Sequence, residues 1–264
     1  MDTSPSTDPS SAEAPLVLRH DADRIATLTL DSPENRNALS SRLVGELAGH
    51  LRDIEADDTV RAVVLTHTSN TFCAGADLAE GAREGGPAKG VARLVALLRQ
   101  IVELDKPVVA KVEGNVRAGG LGLFAACDVS VAGLTSSFAL TKARLGLSPA
   151  VISLTVLARL TDRAASRYYL TGDRFDAAEA ERIGLVTIAT EDPDEAVAGL
   201  AASFRKCSPQ GLAASKQLAT HRILATFDSD AERLIERSAA LFSSEDAQEG
   251  IASFLERRPP SWAE

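Results

Sequence analysis

The sequence predicts a mixed α/β core over residues 16–195, followed by a helical C-terminal region over residues 196–264. Two observations predict it. Through the first ~190 residues, short Val-rich runs alternate with segments whose apolar residues recur at helical spacing, as strands and helices packed in layers require. Beyond that point nearly every segment reads as helix, and no low-complexity linker separates the two parts. No sharp internal repeat is visible in the sequence.

The elements follow in order. Residues 1–15, MDTSPSTDPSSAEAP, have little to bury and read as a disordered tail. They also lack the basic and apolar regions of a signal peptide. LVLRHD and RIATLTLD alternate apolar residues as paired strands do. After the loop SPENRNALS, Ser40 or Ser41 can cap a helix with Leu43, Leu47, Leu51 and Ile54 on one face. VRAVVLTH reads as a buried strand, and SNTFCAGADLAEG as a loop entering a short helix. A helix carrying Val91, Leu94, Val95, Leu98 and Val102 leads to the strand KPVVAKVEG. GNVRAGGLGLFAACD is a glycine-rich turn into an apolar helix, and short strands follow around VSVAG and SSFAL. The remainder reads as helices, interrupted by one short strand, LVTIA.

Composition excludes several classes. A net charge of −9 leaves no excess of cations to neutralise phosphates, so no nucleic-acid partner is expected. No run approaches the ~18 apolar residues of a membrane span, so no membrane is expected either. Cys73, Cys127 and Cys207 are widely spaced and form no C-x-x-C, which points to a reducing cytoplasm. Cys127 and Cys207 read as small buried hydrophobes. His20, His50, His67 and His221 show no metal-ligand spacing, so no metal site is expected. His50 reads as solvated or capping.

The glycines of the turn also satisfy a dinucleotide pattern, G-x-G-x-x-A, from Gly120 to Ala125. That reading needs an acidic residue roughly 20 positions on. None occurs between Val129 and Thr161, and the turn sits at mid-chain rather than in a first βα unit. A nucleophile elbow and a phosphate loop are both missing. Two small-residue turns remain, Ala74-Gly75-Ala76-Asp77 and Ala118-Gly119-Gly120, each where a strand gives way to a helix. Such turns serve either tight strand–helix packing or the approach of a ligand oxygen to backbone N–H groups.

FCAGADL at 72–78 and KPVVAKVEGNVRAGGLGLFAACDVSVA at 106–132 resemble the crotonase (enoyl-CoA hydratase/isomerase) superfamily. YYLTGDRFDAAEAERIGLV and the ending FSSEDAQEGIASFLERRPPSW resemble the same family, so the likeness runs from about Leu16 to Trp262. It implies a superhelix of ββα units with a helical C-terminal region used in trimer assembly. It also implies an acyl-CoA substrate, whose coenzyme A is part of the substrate and not a cofactor, and a homotrimer or hexamer. By position, Ala76 and Gly119 would donate the two N–H groups of an oxyanion hole. Arg36, Ala38, Ala74, Asp77, Leu78 and Gly120 would lie around the CoA and pantetheine.

The resemblance breaks at the acids. Hydratases of the family use two glutamates, and the matching positions here are Gly122 and Lys142. Some branched-chain hydratase-like members also lack the first, with a similar A-G-G-x-G-L, but keep the second. Asp128 is the one carboxylate between Gly114 and Thr161 and fits a cap after the helix. An ammonium is no base at neutral pH unless burial lowers its pKa. On an extended backbone Lys142 and Arg144 share a face, either solvated or holding an anion such as a substrate carboxylate or a CoA phosphate. Three readings follow. One is a 2-enoyl-CoA hydratase with a displaced acid or base: Lys142, Glu80, Glu84 or bound bicarbonate. Another is a carboxyacyl-CoA decarboxylase, which needs no base. The third is a non-catalytic acyl-CoA-binding protein.

Overall fold

The computed structural model describes residues 14–77, 80 and 88–263. The tail expected at the N-terminus therefore lies almost wholly outside the described residues. The chain opens with a hairpin, β1 (Val17–Ala22) paired antiparallel to β2 (Ile25–Leu30). Its two-residue turn puts Asp23 and Arg24 at φ 50° and 66°, the left-handed region that tight hairpin loops use.

Helix α1 (Ser41–Glu55) then crosses to β3 (Ala62–His67). Ser40 caps α1, its side chain accepting from the N–H of Leu43. The expected face of Leu43, Leu47, Leu51 and Ile54 is buried. From β3 onward the chain repeats one move. It lays a strand in a first sheet, then a short strand in a second sheet, and a helix returns it. The pairs are β3 with β4 (Thr71–Cys73), β5 (Val108–Val112) with β6 (Asn115–Arg117), and β7 (Val129–Gly133) with β8 (Ser137–Ala139). Helices α2 (Ala88–Glu103) and α3 (Gly119–Ala126) make the first two returns.

The first sheet has the order β1-β2-β3-β5-β7-β10, where β10 is Ile188–Thr190, and all of it beyond the hairpin is parallel. The second has the order β4-β6-β8-β9, where β9 is Arg174–Asp176. Successive ββ passes thus stack as turns of a superhelix, the architecture the sequence resemblance implied. Strand β9 (Arg174–Asp176) corrects the expectation of a single late strand. Three residues are too short for a period-2 pattern to declare itself.

All eight residues of α3 are buried, because the helix runs through the middle of the stack rather than over its surface. Phe72, Phe124, Phe138 and Phe175 form a continuous aromatic column there, with ring centroids 5.5–6.2 Å apart. The later chain is helical: α4 (Ser153–Val156), α5 (Asp162–Thr171), α6 (Ala177–Arg182), α7 (Pro193–Arg205), α8 (Pro209–Phe242) and α9 (Glu245–Glu256).

Helix α8 is tied to the core by a buried ion. Lys216 is 5% exposed, and its Nζ donates to the carbonyls of Ile101 and Lys106 at 2.9 and 3.0 Å. It also pairs with Asp128 at 2.8 Å. Asp128 is therefore not a helix cap, as the sequence suggested. Its carboxylate accepts from the N–H of Val108 and neutralises a lysine contributed from 88 residues further on. Burial pushes the Asp128 carboxyl up, and the Lys216 ammonium pulls it back. Cys127 is buried as expected, but Cys207 is exposed at the end of α7.

Candidate active site

The two small-residue turns meet. Gly75 has φ 102°, and a Cβ placed there would lie 2.7 Å from Cβ of Ala118 and 3.2 Å from the nitrogen of Gly119. Glycine is required on both counts. Ala118 has φ 46° and ψ −118°, an unusual backbone for a residue with a side chain, costing on the order of 1–3 kcal/mol. This bend makes Gly119 the first residue of α3, where an N–H has no partner within the helix. On the other side, the Leu39 N–H donates to Gly75 carbonyl oxygen at 2.7 Å and Leu39 forms a bridge with Ala76. Among the described residues, the backbone N–H groups of Ala76 and Gly119 donate to no protein acceptor.

Lys142 comes to the same place by a route the sequence did not suggest. Thr141–Leu145 is a 3₁₀ turn, not extended chain. With three residues per turn, positions two apart diverge, which separates Lys142 from Arg144. Arg144 points outward: its Nε donates to Thr171 carbonyl oxygen at 2.8 Å and its guanidinium pairs with Asp173 at 2.7 Å. Lys142 points inward, with Nζ 4.6 Å from the centroid of the Phe242 ring at the end of α8. Helix α9 holds the turn in place through close backbone packing of Gly146 on Asp246 and of Gly250 on Leu145. No carboxylate among the described residues pairs with Lys142, and burial pushes its amine down from 10.5 to about 8.

Ala76, Gly119 and Lys142 line one cavity of about 90 Å³. Asp77 and Glu80 line it too. The Asp77 carboxylate accepts from the N–H of Glu80 at 3.0 Å. Glu80 itself is engaged by Ser41, whose N–H donates to it at 2.7 Å and whose hydroxyl donates as well. The remaining wall is apolar, with Leu94, Val151, Ile152 and Phe242.

The other residues singled out from the sequence stand elsewhere. Arg36 is exposed at φ 59°, and its carbonyl accepts from the N–H of Ala74 at 3.1 Å, so the two hold the edge of the first turn. Ala38 is buried beside Leu39. Gly120 is packed against Cys73, where a Cβ would come within 2.7 Å, so its smallness serves packing. Gly122 faces Ile152. Leu78 and Glu84 lie outside the described residues. Ile152 and Phe242 line the cavity, yet the sequence assigned neither a role: Phe242 opens the family-like ending, and both reach the site only through tertiary packing.

Comparison with known proteins places the chain. Residues 20–264 match the family described as enoyl-CoA hydratase/isomerase. Among solved structures, an enoyl-CoA hydratase from Mycobacterium avium is similar at 53% identity and TM-score 0.89, covering 94% of this chain and 98% of that one. The 1,2-epoxyphenylacetyl-CoA isomerase of Escherichia coli is 31% identical over 259 residues, 93% of this chain and 97% of that protein. The 2,3-dehydroadipyl-CoA hydratase of the same organism is 30% identical over 242 residues, 90% of this chain and 95% of that protein. This chain belongs to the enoyl-CoA hydratase/isomerase family.

Proposed function

We propose that this chain is an acyl-CoA enzyme that holds the thioester oxygen on the N–H groups of Ala76 and Gly119 and moves the proton with Lys142, nominally adding water to a 2-enoyl-CoA. The observation that carries this reading is the convergence of those three residues on one cavity, with both N–H groups unengaged among the described residues. Two donors aimed at a developing oxyanion stabilise an enolate by several kcal/mol, about 3 for each. The amine of Lys142, titrating at about 8, is close enough to neutrality to serve as the base the absent glutamates would have been. It takes a proton from water as the oxygen adds to the β-carbon, the electron pair moves to the thioester oxygen, and the ammonium returns a proton to the α-carbon. Water is consumed and nothing else is gained or lost.

The environment of Lys142 supports a second reading. A half-buried ammonium that no carboxylate pairs with among the described residues suits an acyl group that brings its own carboxylate. Loss of CO2 from such a carboxyacyl-CoA generates the enolate directly, and Lys142 supplies the proton that quenches it. In either case coenzyme A enters as part of the substrate. We also propose that the chain assembles as a trimer or hexamer, since Leu170, Leu218 and Leu255 stand 78%, 82% and 66% exposed on the later helices. The three free cysteines fit a cytoplasmic location.

Mass-spectrometric turnover of straight and branched 2-enoyl-CoAs, 3-enoyl-CoAs and malonyl-type CoAs tests the reading. Hydration lost in Lys142→Ala is the expected result, and loss of CO2 would select the second reading. Tight binding of acyl-CoA with no turnover would leave a binding protein and overturn both.

A further inference from the structure

The place of the absent first acid is not empty. A Cβ at Gly122 would lie 2.6 Å from Cγ2 and 3.0 Å from Cβ of Ile152, and 3.3 Å from Cδ1 of Leu98. These are positions no real Cβ occupies without displacing a neighbour, and Ile152 is poorly placed to yield. Its Cγ2 turns with χ1, but a β-branched side chain is stiff there and its Cβ, 3.0 Å away, does not move with that rotation. Its backbone is fixed as the cap of α4, where its carbonyl accepts from Thr155 and Val156. Thr155 Oγ1 in turn donates to Gly122 carbonyl oxygen at 3.0 Å, locking the two segments together. Gly122 and Ile152 are thus a matched pair, and Ile152, 3% exposed, also lines the cavity that holds Ala76, Gly119 and Lys142.

We infer that Ile152 is a specificity-determining residue: it turns the position of a family acid into an apolar wall that limits the bulk of the acyl group. The inference rests on the acyl-CoA reading of the cavity. Three features carry it. The wall continues through Leu94, Val151 and Phe242, with Nζ of Lys142 4.6 Å from the Phe242 ring centroid, so an acyl chain meets hydrocarbon around that one amine. The cavity is small, about 90 Å³, so each methylene removed from its wall is a large share of the room. Rigid placement of Ile152 means the wall cannot simply move aside for a longer substrate.

The test is a binding series of butyryl-, hexanoyl- and octanoyl-CoA, by calorimetry, on the full chain and on Ile152→Val, Ile152→Ala and Leu134→Ala. Leu134 is 47% exposed between β7 and β8, away from the cavity, and serves as the control. Truncation at 152 is expected to shift preference toward the longer chains by about tenfold or more for Ile152→Ala, less for Ile152→Val, as pockets discriminate by methylene. Leu134→Ala is expected to leave the order unchanged. A preference unchanged by Ile152→Ala, with acyl-CoA still bound, would overturn this inference alone. Failure of the unmodified chain to bind any member would overturn the acyl-CoA reading with it. A second pair reads the packing directly: Gly122→Glu is expected to lower Tm, and Gly122→Glu with Ile152→Ala is expected to lose less than the sum of the two single losses. Equal Tm for Gly122→Glu and the unmodified chain would overturn the matched pair.

Discussion

Nζ of Lys142 lies 4.6 Å from the centroid of the Phe242 ring, so a half-buried amine of the cavity packs against the end of a helix one hundred residues later. The ring excludes water from the amine and offers only its π face in return. If the neutral amine is the base, turnover rises with pH and levels off above about 8. If the ammonium is the working form, as in decarboxylation, turnover falls through the same region. In Phe242→Ala water returns, the amine moves back toward 10.5, and the midpoint of the pH–rate profile moves up with it. A midpoint that stays put in Phe242→Ala would dissociate the profile from Lys142.

Lys142 also weakens the fold. Its pKa is lower folded than unfolded, so the unfolded chain binds more protons between about 8 and 10.5. Stability therefore rises with pH across that window, and below it the burial cost is fully present. Lys142→Met is expected to be more stable than the unmodified chain at pH 7, by up to about 3 kcal/mol. The gap is expected to close as pH rises past 8. Urea unfolding at several pH values checks both the sign and the window.

The strained turn makes a complementary prediction. Gly75→Ala combines an unfavourable φ with a clash on Ala118, and a loss on the order of 1–3 kcal/mol is expected, with turnover falling further because Ala76 is displaced. Ala118→Gly relieves its own strained backbone, and a gain of about 1 kcal/mol is expected after the entropy of the added glycine is subtracted. Thermal unfolding of the two variants reads opposite signs from adjacent positions.

Removing Lys216 is expected to be far more damaging than its distance from the cavity suggests. Lys216→Met leaves the Asp128 carboxylate buried without its ion partner, at a cost of about 3–5 kcal/mol. Lys216→Met together with Asp128→Asn is expected to recover part of that, because the stranded charge is gone. Unfolding of the single and double variants measures the difference.

Much of this was legible in the sequence, for physical reasons that differ by element. The Leu43 to Ile54 face declared α1 through its spacing, and Val-rich runs declared the buried parallel strands. Glycine and alanine at 74–76 and 118–120 declared two turns where a ligand or a backbone comes close. The ββα repeat itself was not legible, because the second strand of each unit is three residues long and stacking constrains shape more than residue identity. Nor was the divergence of Lys142 and Arg144, which depends on a 3₁₀ turn held by α9. Asp128 was misread for a related reason: its partner is distant in sequence, and a lone carboxylate after a helix looks like a cap.

The most direct measurement is the infrared carbonyl stretch of a tightly bound, non-reacting acyl-CoA labelled with a heavy carbon at the thioester. Two N–H donors from Ala76 and Gly119 polarise that bond, so the labelled band is expected at lower frequency in the complex than in water. The downward shift is expected to shrink in Gly75→Ala, where the first turn no longer closes on the second. A band unmoved on binding to the unmodified chain would mean that these N–H groups do not hold the thioester oxygen.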